Sequence, residues 1–164
     1  MSSTQKTAIV TLNPKDENCE LLSNMRPISL TTCDYKIFTK ILSNRLKLVI
    51  PKIISPEQYC CPDKSIVDCN AIVRDIVYYC STENMQGAII NLDWSKAFDR
   101  VDNDFLRKVM GRLGINQTFI NWIELIYTDI RSSVMINGIL TEAFSVQRGI
   151  RQGCPLSMLL YVIF

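Results

Sequence analysis

Apolar and polar positions alternate along the chain in patterns that predict strands and helices in turn. Two short runs, TAIVTLNPK at 7–15 and RPISL at 26–30, have the β-branched character of strands and flank a polar loop. Over 34–50 the spacing changes to intervals of three and four residues, which predicts an amphipathic helix that ends at Pro51. Its apolar positions are Ile37, Phe38, Ile41, Leu42, Leu46 and Val49.

Three further helices are predicted along the chain. The first begins at Ser65, because Ser65 and Asp68 match the S-x-x-D form of a capping box. It carries an apolar stripe that consists of Ile72, Val73, Ile76 and Val77. The second is predicted over 103–113 and is closed by Gly114, because glycine readily adopts the backbone conformation that ends helices. The third is predicted over 117–127.

The C-terminal part of the chain predicts a hairpin and a last helix. In SVMINGILTEAFSVQRG, Asn137 and Gly138 supply two residues that accept positive φ between apolar runs, as a tight hairpin turn requires. A last helix is expected to begin near Pro155, since proline suits the first helical position. Strands and helices in this arrangement predict an α+β fold, with a mostly antiparallel sheet and helices on one side.

The segment GAIINLDWSKAFDRVD at 87–102 passes directly from an apolar run into a charged stretch. The run predicts a strand that is buried on both faces and ends at Asp93. It consists of Ala88, Ile89, Ile90 and Leu92. A lone aspartate at such a place is commonly a helix cap or a solvated residue, and it is also a rigid position for a carboxylate that binds Mg²⁺. Phe98, Asp99 and Asp102 follow closely, and we expect both carboxylates to face water.

Composition and charge are those of an ordinary globular domain. The 164 residues are 48% hydrophobic and 21% charged, which is enough to bury a core. The net charge of +2 is too small to predict a nucleic-acid partner, although residues 1–50 carry seven Lys or Arg against four Asp or Glu. Seven cysteines without a C-x-x-C pair, and no histidine, favour reduced thiols in an intracellular compartment, cytoplasmic or nuclear. No apolar run reaches the roughly 20 residues of a membrane span.

A glycine-rich turn, RGIRQGCPLS at 148–157, precedes the last predicted helix. Gly149 and Gly153 flank Arg151 and Gln152, and glycines in such a place allow the backbone to approach a ligand closely. A helix N-terminus that follows favours phosphate. The spacing does not match the P-loop, G-x-x-x-x-G-K-[ST], so phosphate binding and a purely structural turn both remain open.

Two cations stand at neighbouring strand ends of the first predicted hairpin. Lys15 ends the first strand and Arg26 begins the second. Such a pair is suited to binding a triphosphate, although basic residues in an exposed hairpin more commonly serve solubility. Taken alone, the pair does not distinguish between the two roles.

Several segments in fixed order resemble a known family. They are NMRPISLTTCDYKIFTKILSNRL, IISPEQ, GAIINLDWSKAFDRVD and LTEAFSVQRGIRQGCPLSMLLYVI. Together they closely resemble the reverse transcriptase of non-LTR (LINE-type) retrotransposons. The resemblance implies a fingers-like region at 1–86 and part of the palm at 87–164 of a right-hand polymerase. It also implies RNA-directed DNA polymerisation, with an RNA or DNA template, a DNA primer and deoxynucleoside triphosphates.

The resemblance implies a catalytic role for Asp93. This residue corresponds to the first catalytic aspartate of the family, which ligates two Mg²⁺ or Mn²⁺ ions, and the backbone carbonyl of Trp94 or a near neighbour is implied as a further ligand. The implied reaction is in-line attack of the primer 3′-hydroxyl on the α-phosphate with loss of pyrophosphate. The two ions would stabilise the attacking and leaving oxygens.

The same resemblance implies a nucleotide-binding set. Phe98 corresponds to the aromatic gate that stacks under the sugar and excludes a 2′-hydroxyl, with a core aromatic as the alternative. Gln152 and Gly153 correspond to residues that line the nucleotide and template pocket. Arg26 and Lys15 correspond to the fingers cations that neutralise the triphosphate.

Some positions depart from the family pattern. The second metal-binding box, an aromatic-x-Asp-Asp turn, is not reached before Phe164, and Asp63 stands where the family usually has glycine, which we expect to strain a turn. The resemblance therefore predicts a partial domain that does not polymerise by itself. In such a fragment the apolar face of the last helix is expected to be uncovered. That face consists of Leu159, Leu160, Val162 and Phe164.

Two other functions fit parts of the sequence. A non-catalytic nucleic-acid-binding or interaction remnant of a retroelement would retain the basic first third of the chain without catalysis. A phosphatase with an aspartyl nucleophile at the strand end is disfavoured, because D-W-S-K lacks the D-x-D spacing.

Overall fold

The computed structural model describes residues 1–15 and 21–164, so part of the polar loop predicted between the first two strands lies outside the described residues. The helices are α1 Ser3–Lys6, α2 Cys33–Lys47, α3 Ile50–Ile53, α4 Ile66–Thr82, α5 Asn103–Arg112, α6 Gln117–Tyr127 and α7 Ser157–Ile163. The strands are β1 Thr7–Pro14, β2 Met25–Leu30, β3 Arg131–Ile136, β4 Ile139–Leu140 and β5 Phe144–Ser145. Two short 3₁₀ helices, Leu22–Asn24 and Ala97–Arg100, precede β2 and α5.

Strand β1 lies inside the sheet, between β2 and β3. β2 pairs with it antiparallel, with Val10 opposite Ser29, and β3 pairs with it parallel, with Val10 opposite Val134. β3 also pairs antiparallel with β4 and β5. The fold is therefore α+β, as predicted, and the sheet is mixed. Its parallel pairing joins two segments that are far apart in sequence, which the alternation within each segment does not predict.

Local turn and cap signals form as the sequence predicts. Asn137 and Gly138 have φ of 50° and 81° and connect β3 to β4. The Ser65 hydroxyl accepts a hydrogen bond from the Val67 N–H at the start of α4. Gly114 has φ of 76° just beyond α5. Each of these signals acts within a few residues. The turn, the start of α4 and the end of α5 are confirmed, although Ser65 caps α4 through the Val67 N–H and not through the Asp68 N–H that a capping box uses.

The turn that precedes α4 is strained at Asp63. Its φ of 66° lies in the left-handed region, where a residue with a β-carbon is unfavourable. The expected strain at this position is therefore confirmed. The neighbouring Lys64 holds the same turn with two contacts, because its ammonium donates to the Pro56 carbonyl and lies 5.4 Å from the centre of the Tyr59 ring.

The hydrophobic core draws its side chains mainly from α2, α5, α6 and α7. The buried face of α2 differs from the predicted one, since Ile37 and Ile41 are exposed. The residues that α2 buries are Tyr35, Thr39, Leu42, Ser43 and Leu46. Two of these are small hydroxyl residues, and the Thr39 hydroxyl donates to the Tyr35 carbonyl at 2.9 Å within the helix. Hydrophobicity alone therefore misplaced the face, because the Thr39 hydroxyl is satisfied within the helix and Tyr35 buries a large ring.

Helix α7 starts two residues after Pro155 and packs against α2 and α5. Leu159 and Leu160 are buried, so the expectation that this face is uncovered is wrong for both. Phe164 is half-exposed and makes an edge-to-face contact with Phe105, with 5.4 Å between ring centres. The apolar face of α7 finds its partners within this chain.

Two apolar stretches remain exposed. α4 buries none of its side chains. Residues 85–94 form neither helix nor strand, and Ile89, Ile90 and Leu92 expose 70%, 80% and 80% of their surface. The prediction of a doubly buried strand that ends at Asp93 is wrong. In the described part of the chain no strand pairs with this segment, and a strand requires a hydrogen-bonded neighbour.

The cysteines and helices add two observations. Six cysteines lie in the described ranges, and all six are free thiols. None of the helices that the structure describes has the length and apolar character needed to cross a membrane.

Candidate functional site

A cavity of about 550 Å³ opens where the end of β1 and the start of β2 meet the 3₁₀ helix at 97–100 and the loop before α7. Five of the seven residues predicted to form the site line this cavity. They are Lys15, Arg26, Phe98, Gln152 and Gly153. The fold brings them together from three segments that are far apart in sequence.

The paired ends of β1 and β2 position the two cations. Asn13 lies opposite Arg26 in the ladder, and the Lys15 N–H donates to the Asn24 carbonyl at 2.8 Å. The Lys15 ammonium donates to the Ser23 carbonyl at 2.9 Å. The predicted placement of Lys15 and Arg26 at neighbouring strand ends is confirmed, and it puts two positive charges on the wall of one cavity.

The first glycine of the glycine-rich loop lies directly against the 3₁₀ helix. The Gly149 N–H donates to the Val101 carbonyl at 2.8 Å, and the Ile150 N–H donates to the Phe98 carbonyl at 2.9 Å. Gly149 has φ of 92°, and a β-carbon there would lie 3.1 Å from backbone atoms of Phe98 and Asp99. Glycine at 149 therefore permits the close contact that sets the position of Phe98.

The second glycine lies against β2. The Ser29 N–H donates to the Gln152 carbonyl at 2.9 Å, which fixes the backbone of the loop to the edge of the sheet. Gly153 has φ of 94°, and a β-carbon there would lie 3.3 Å from the Ser29 carbonyl oxygen. Both the conformation and the close approach require glycine at this wall of the cavity.

Arg151 anchors the loop from within the protein, and only 6% of its surface is exposed. Its Nη2 donates to the Lys6 carbonyl and to the Arg131 carbonyl, the latter at 3.3 Å. The guanidinium carbon lies 5.0 Å from the centre of the Tyr35 ring. Among the described residues no carboxylate pairs with it, and its Nε and Nη1 have no hydrogen-bond partner. Arg151 thus connects the glycine-rich loop to the start of β1, to the start of β3 and to helix α2.

Sequence reasoning did not identify this anchoring role. An arginine between two glycines in a polar turn is ordinarily exposed, because burial of an unpaired charge is costly. No local signal distinguishes Arg151 from a solvated residue, since its partners lie on elements distant in sequence.

Buried hydroxyls hold the backbone of Arg151 from the opposite side. The Ser157 hydroxyl donates to the Arg151 carbonyl at 2.7 Å, and the Tyr127 hydroxyl lies 3.4 Å from the Ser157 oxygen. Burial raises the pKa of Tyr35 and the pKa of Tyr127 well above the ordinary tyrosine value. Both phenols therefore stay protonated, and the cluster provides no negative charge to balance Arg151.

Phe98 has two environments. One face of its ring stacks on Tyr161, with 5.2 Å between ring centres and an interplanar angle of 20°, and the residue also lines the cavity. The contact with Tyr161 is a core contact, and the place at the cavity wall leaves Phe98 in reach of a ligand in the cavity. The structure therefore supplies an observation for each of the two roles considered for this residue.

The two carboxylates that follow Phe98 differ from each other. Asp99 is exposed and lines the cavity. Asp102 accepts a hydrogen bond from the Phe105 N–H at 2.9 Å and caps α5, and this bond holds the pKa of the Asp102 carboxyl below its usual value. Both carboxylates face water as expected, since the Asp102 side chain is 43% exposed, and Asp102 is in addition a helix cap.

Lys96 is a further lining residue that the sequence pattern did not reveal. It adds a third cation to the wall that holds Lys15 and Arg26, and Asp99 adds one negative charge. No local pattern separates Lys96 from an ordinary solvated lysine, because its place in the cavity follows from the turn of the backbone before the 3₁₀ helix.

Comparison with known proteins gives the family. A family model described as reverse transcriptase (RNA-dependent DNA polymerase) matches residues 13–164. The chain belongs to the reverse transcriptase family. The resemblance seen in the sequence is thereby confirmed, and the matched range includes the cavity-lining residues from Lys15 onward.

Relatives of this reverse transcriptase domain come from non-LTR retrotransposons. The chain is 37% identical over 157 residues to the Transposon TX1 uncharacterized 149 kDa protein of Xenopus laevis, a match that covers 95% of this chain and 12% of that protein. It is 30% identical over 155 residues to the Retrovirus-related Pol polyprotein from type-1 retrotransposable element R2 of Popillia japonica. This match covers 92% of this chain and 21% of that protein. It is also 29% identical over 150 residues to the Retrovirus-related Pol polyprotein from type-2 retrotransposable element R2DM of Drosophila melanogaster. This match covers 90% of this chain and 14% of that protein. The chain thus spans between 12% and 21% of the length of these relatives.

Reverse transcriptases generally use divalent metal ions, and the residues for which the sequence resemblance implies that role are Asp93 and Trp94. Neither lines the cavity, Asp93 is exposed, and Trp94 exposes 75% of its surface. In the described ranges no three His, Cys, Asp or Glu side chains come together in a group that would hold a metal. Mg²⁺ demands several oxygen ligands in octahedral geometry. The described residues, as arranged here, do not fit that ion.

Proposed function

We propose that the cavity binds the incoming deoxynucleoside triphosphate of a reverse transcriptase. The observation that carries this proposal is the convergence of Lys15, Arg26, Phe98, Gln152 and Gly153 on one cavity. Its volume of about 550 Å³ is in the range of small-molecule sites. Two of these residues precede α2 and three follow α4, so the site depends on the tertiary structure of the whole chain.

The chemistry of the cavity wall is suited to this ligand. Lys15 and Arg26 bring positive charge to the triphosphate, and the planar guanidinium of Arg26 offers paired donors to phosphate oxygens. Phe98, held from behind by Tyr161, offers an aromatic surface under the sugar, where it excludes a 2′-hydroxyl. Gln152 supplies a polar side chain, and Gly153 allows the loop that carries it to lie close against β2.

The cavity lies where two regions of the proposed polymerase meet. Residues 1–86 form the fingers-like region, which contributes Lys15 and Arg26, and residues 87–164 form part of the palm. In the complete right-hand polymerase the sheet is mostly antiparallel, and RNA-directed DNA polymerisation joins the nucleotide to a primer 3′-hydroxyl on an RNA or DNA template. Asp93 is the catalytic aspartate in this assignment, and Trp94 supplies a carbonyl beside it.

We expect this chain by itself to extend no primer. Asp93 is exposed outside the cavity, and the carboxylates that the structure describes form no metal-binding group. Primer extension on an RNA template and on a DNA template, with Mg²⁺ and with Mn²⁺, measures this directly. Extension by the unmodified chain that disappears in Asp93→Asn would refute the expectation and show that the segment around Asp93 assembles a competent site.

Binding is expected even without extension. Arg26→Met is expected to weaken the binding of dTTP about tenfold, since a hydrogen bond to a charged group contributes about 1.5–3 kcal/mol. Isothermal titration calorimetry at constant ionic strength measures the dissociation constants. Lys40→Met is the matched control, because Lys40 is an exposed cation on α2 away from the cavity. The affinity of this variant for dTTP should stay within about twofold of that of the unmodified chain. Equal losses in the two variants would mean that dTTP responds to net charge and not to this site.

A second candidate function is that of a non-catalytic nucleic-acid-binding remnant. The exposed position of Asp93, together with the basic character of residues 1–50, favours it. A titration of a primer–template duplex at several salt concentrations tests it, because phosphate contacts make the logarithm of the affinity fall linearly with the logarithm of the salt concentration. Affinity that does not change with salt would exclude this function.

A further inference from the structure

Lys96 has a backbone conformation that lysine rarely adopts. Its φ is 53° and its ψ is 44°, in the left-handed region, where the β-carbon of any residue except glycine crowds the following carbonyl oxygen. Asparagine and aspartate tolerate this region better than lysine does, because their short side chains bond locally. A lysine held there is a strained choice, and strain of this kind is found preferentially at functional sites.

The turn explains the conformation but not the lysine side chain. The Lys96 carbonyl accepts hydrogen bonds from the Asp99 N–H at 3.0 Å and the Arg100 N–H at 3.2 Å, which close the 3₁₀ helix at 97–100. Both bonds use backbone atoms alone. Glycine at position 96 would make the same two bonds without the strain, so the turn itself does not require an ammonium group.

Lys96 lines the cavity that Lys15 and Arg26 also line. Within residues 1–15 and 21–164 no carboxylate forms an ion pair with it. The three cations come from separate elements, namely the end of β1, the start of β2 and the turn before the 3₁₀ helix. Asp99 provides the single carboxylate among the lining residues, so the wall carries an excess of positive charge.

We propose that Lys96 is a third phosphate-binding residue of this cavity and that its strained backbone is retained because it directs an ammonium group at a polyphosphate. The proposal rests on the proposed function, since it concerns the same ligand. Lys96 then joins the two cations of the β1–β2 hairpin, and the three positive charges make the cavity complementary to a triphosphate that carries several negative charges.

The test exploits two effects of opposite sign. Lys96→Gly relieves the left-handed strain, so its melting temperature should rise by about 2 °C, while its affinity for dTTP and for inorganic triphosphate should fall about tenfold. Lys96→Met keeps the strain and removes only the charge, so it should lose the same affinity with an unchanged melting temperature. Lys96→Arg should bind within about threefold of the unmodified chain. Asp63→Gly is the matched control, because Asp63 has φ of 66° away from the cavity and should gain stability without losing affinity.

The outcomes separate this inference from the proposed function. Affinity for dTTP that falls in Arg26→Met but not in Lys96→Gly or Lys96→Met would overturn the role of Lys96 and leave the cavity as a nucleotide site. A chain that binds neither dTTP nor inorganic triphosphate would overturn both. If the Lys96 variants lose affinity for a short DNA duplex and keep it for dTTP, Lys96 contacts a nucleic-acid backbone, and the triphosphate assignment fails.

Discussion

Gly149→Ala is expected to lower the free energy of unfolding by about 3 kcal/mol, because it combines a left-handed backbone penalty with overpacking. Gly149 has φ of 92°, and its added β-carbon would lie 3.1 Å from the Phe98 carbonyl oxygen and from the Cα and carbonyl oxygen of Asp99. These are backbone atoms, so no side-chain rotation relieves the contact. Phe98 would shift from the cavity wall, and dTTP affinity should fall together with stability. Urea denaturation measures the first effect and calorimetry the second.

Gly111→Ala is the matched control for this substitution. Gly111 lies within α5, and no heavy atom lies within 4 Å of a β-carbon built there. Alanine should stabilise the helix by roughly 0.5–1 kcal/mol relative to glycine. Similar unfolding free energies for the two variants would contradict the close packing of the loop against the 3₁₀ helix.

Arg151→Ala is expected to lower the free energy of unfolding by about 3 kcal/mol, through lost hydrogen bonds and lost packing of the side-chain stem. The substitution removes the donors to the Lys6 and Arg131 carbonyls and the contact with the Tyr35 ring. Arg151→Met should recover about half of the loss, since it refills the space without restoring the bonds. The unmodified arginine also buries two nitrogen atoms, Nε and Nη1, without hydrogen-bond partners, and this cost reduces its net contribution to stability.

Arg148→Met provides the control for Arg151. The Arg148 side chain is 74% exposed and lies 3.9 Å from an Asp102 carboxylate oxygen, a weak surface pair. Its removal should change the unfolding free energy by less than about 0.5 kcal/mol. If Arg151→Ala is as mild as Arg148→Met, the buried guanidinium does not anchor the loop. Amide hydrogen exchange at Ser29, whose N–H donates to Gln152, reports loosening of the loop directly.

Signals that act over a few residues predicted the structure well. Asn137 and Gly138 set a turn through their own φ angles, Ser65 caps the helix that it precedes, and α6 spans the range that its period indicated. The strain at Asp63 follows in the same way, since it depends on the backbone of one residue. In each case the physical cause lies inside the segment that carries the signal.

Features that depend on distant partners were not predictable from one segment. The apolar run at 88–92 has the composition of a buried strand, but a strand exists only beside another strand, and the described chain supplies none there. The parallel pairing of β1 with β3 and the burial of Arg151 also depend on partners far along the chain. The cavity residues were found through resemblance to a family, and their convergence on one wall required the fold.

The binding of dTTP at this cavity is tested most directly by an NMR titration of the isotope-labelled chain. The resonances of the Gln152 side-chain amide and the Gly153 backbone amide should shift in proportion to the bound fraction, and the shifts should be lost in Arg26→Met. The Gly111 amide in α5, away from the cavity, should not move. Shifts that leave Gln152 and Gly153 unaffected, or no shifts at millimolar dTTP, would contradict a nucleotide site at this cavity.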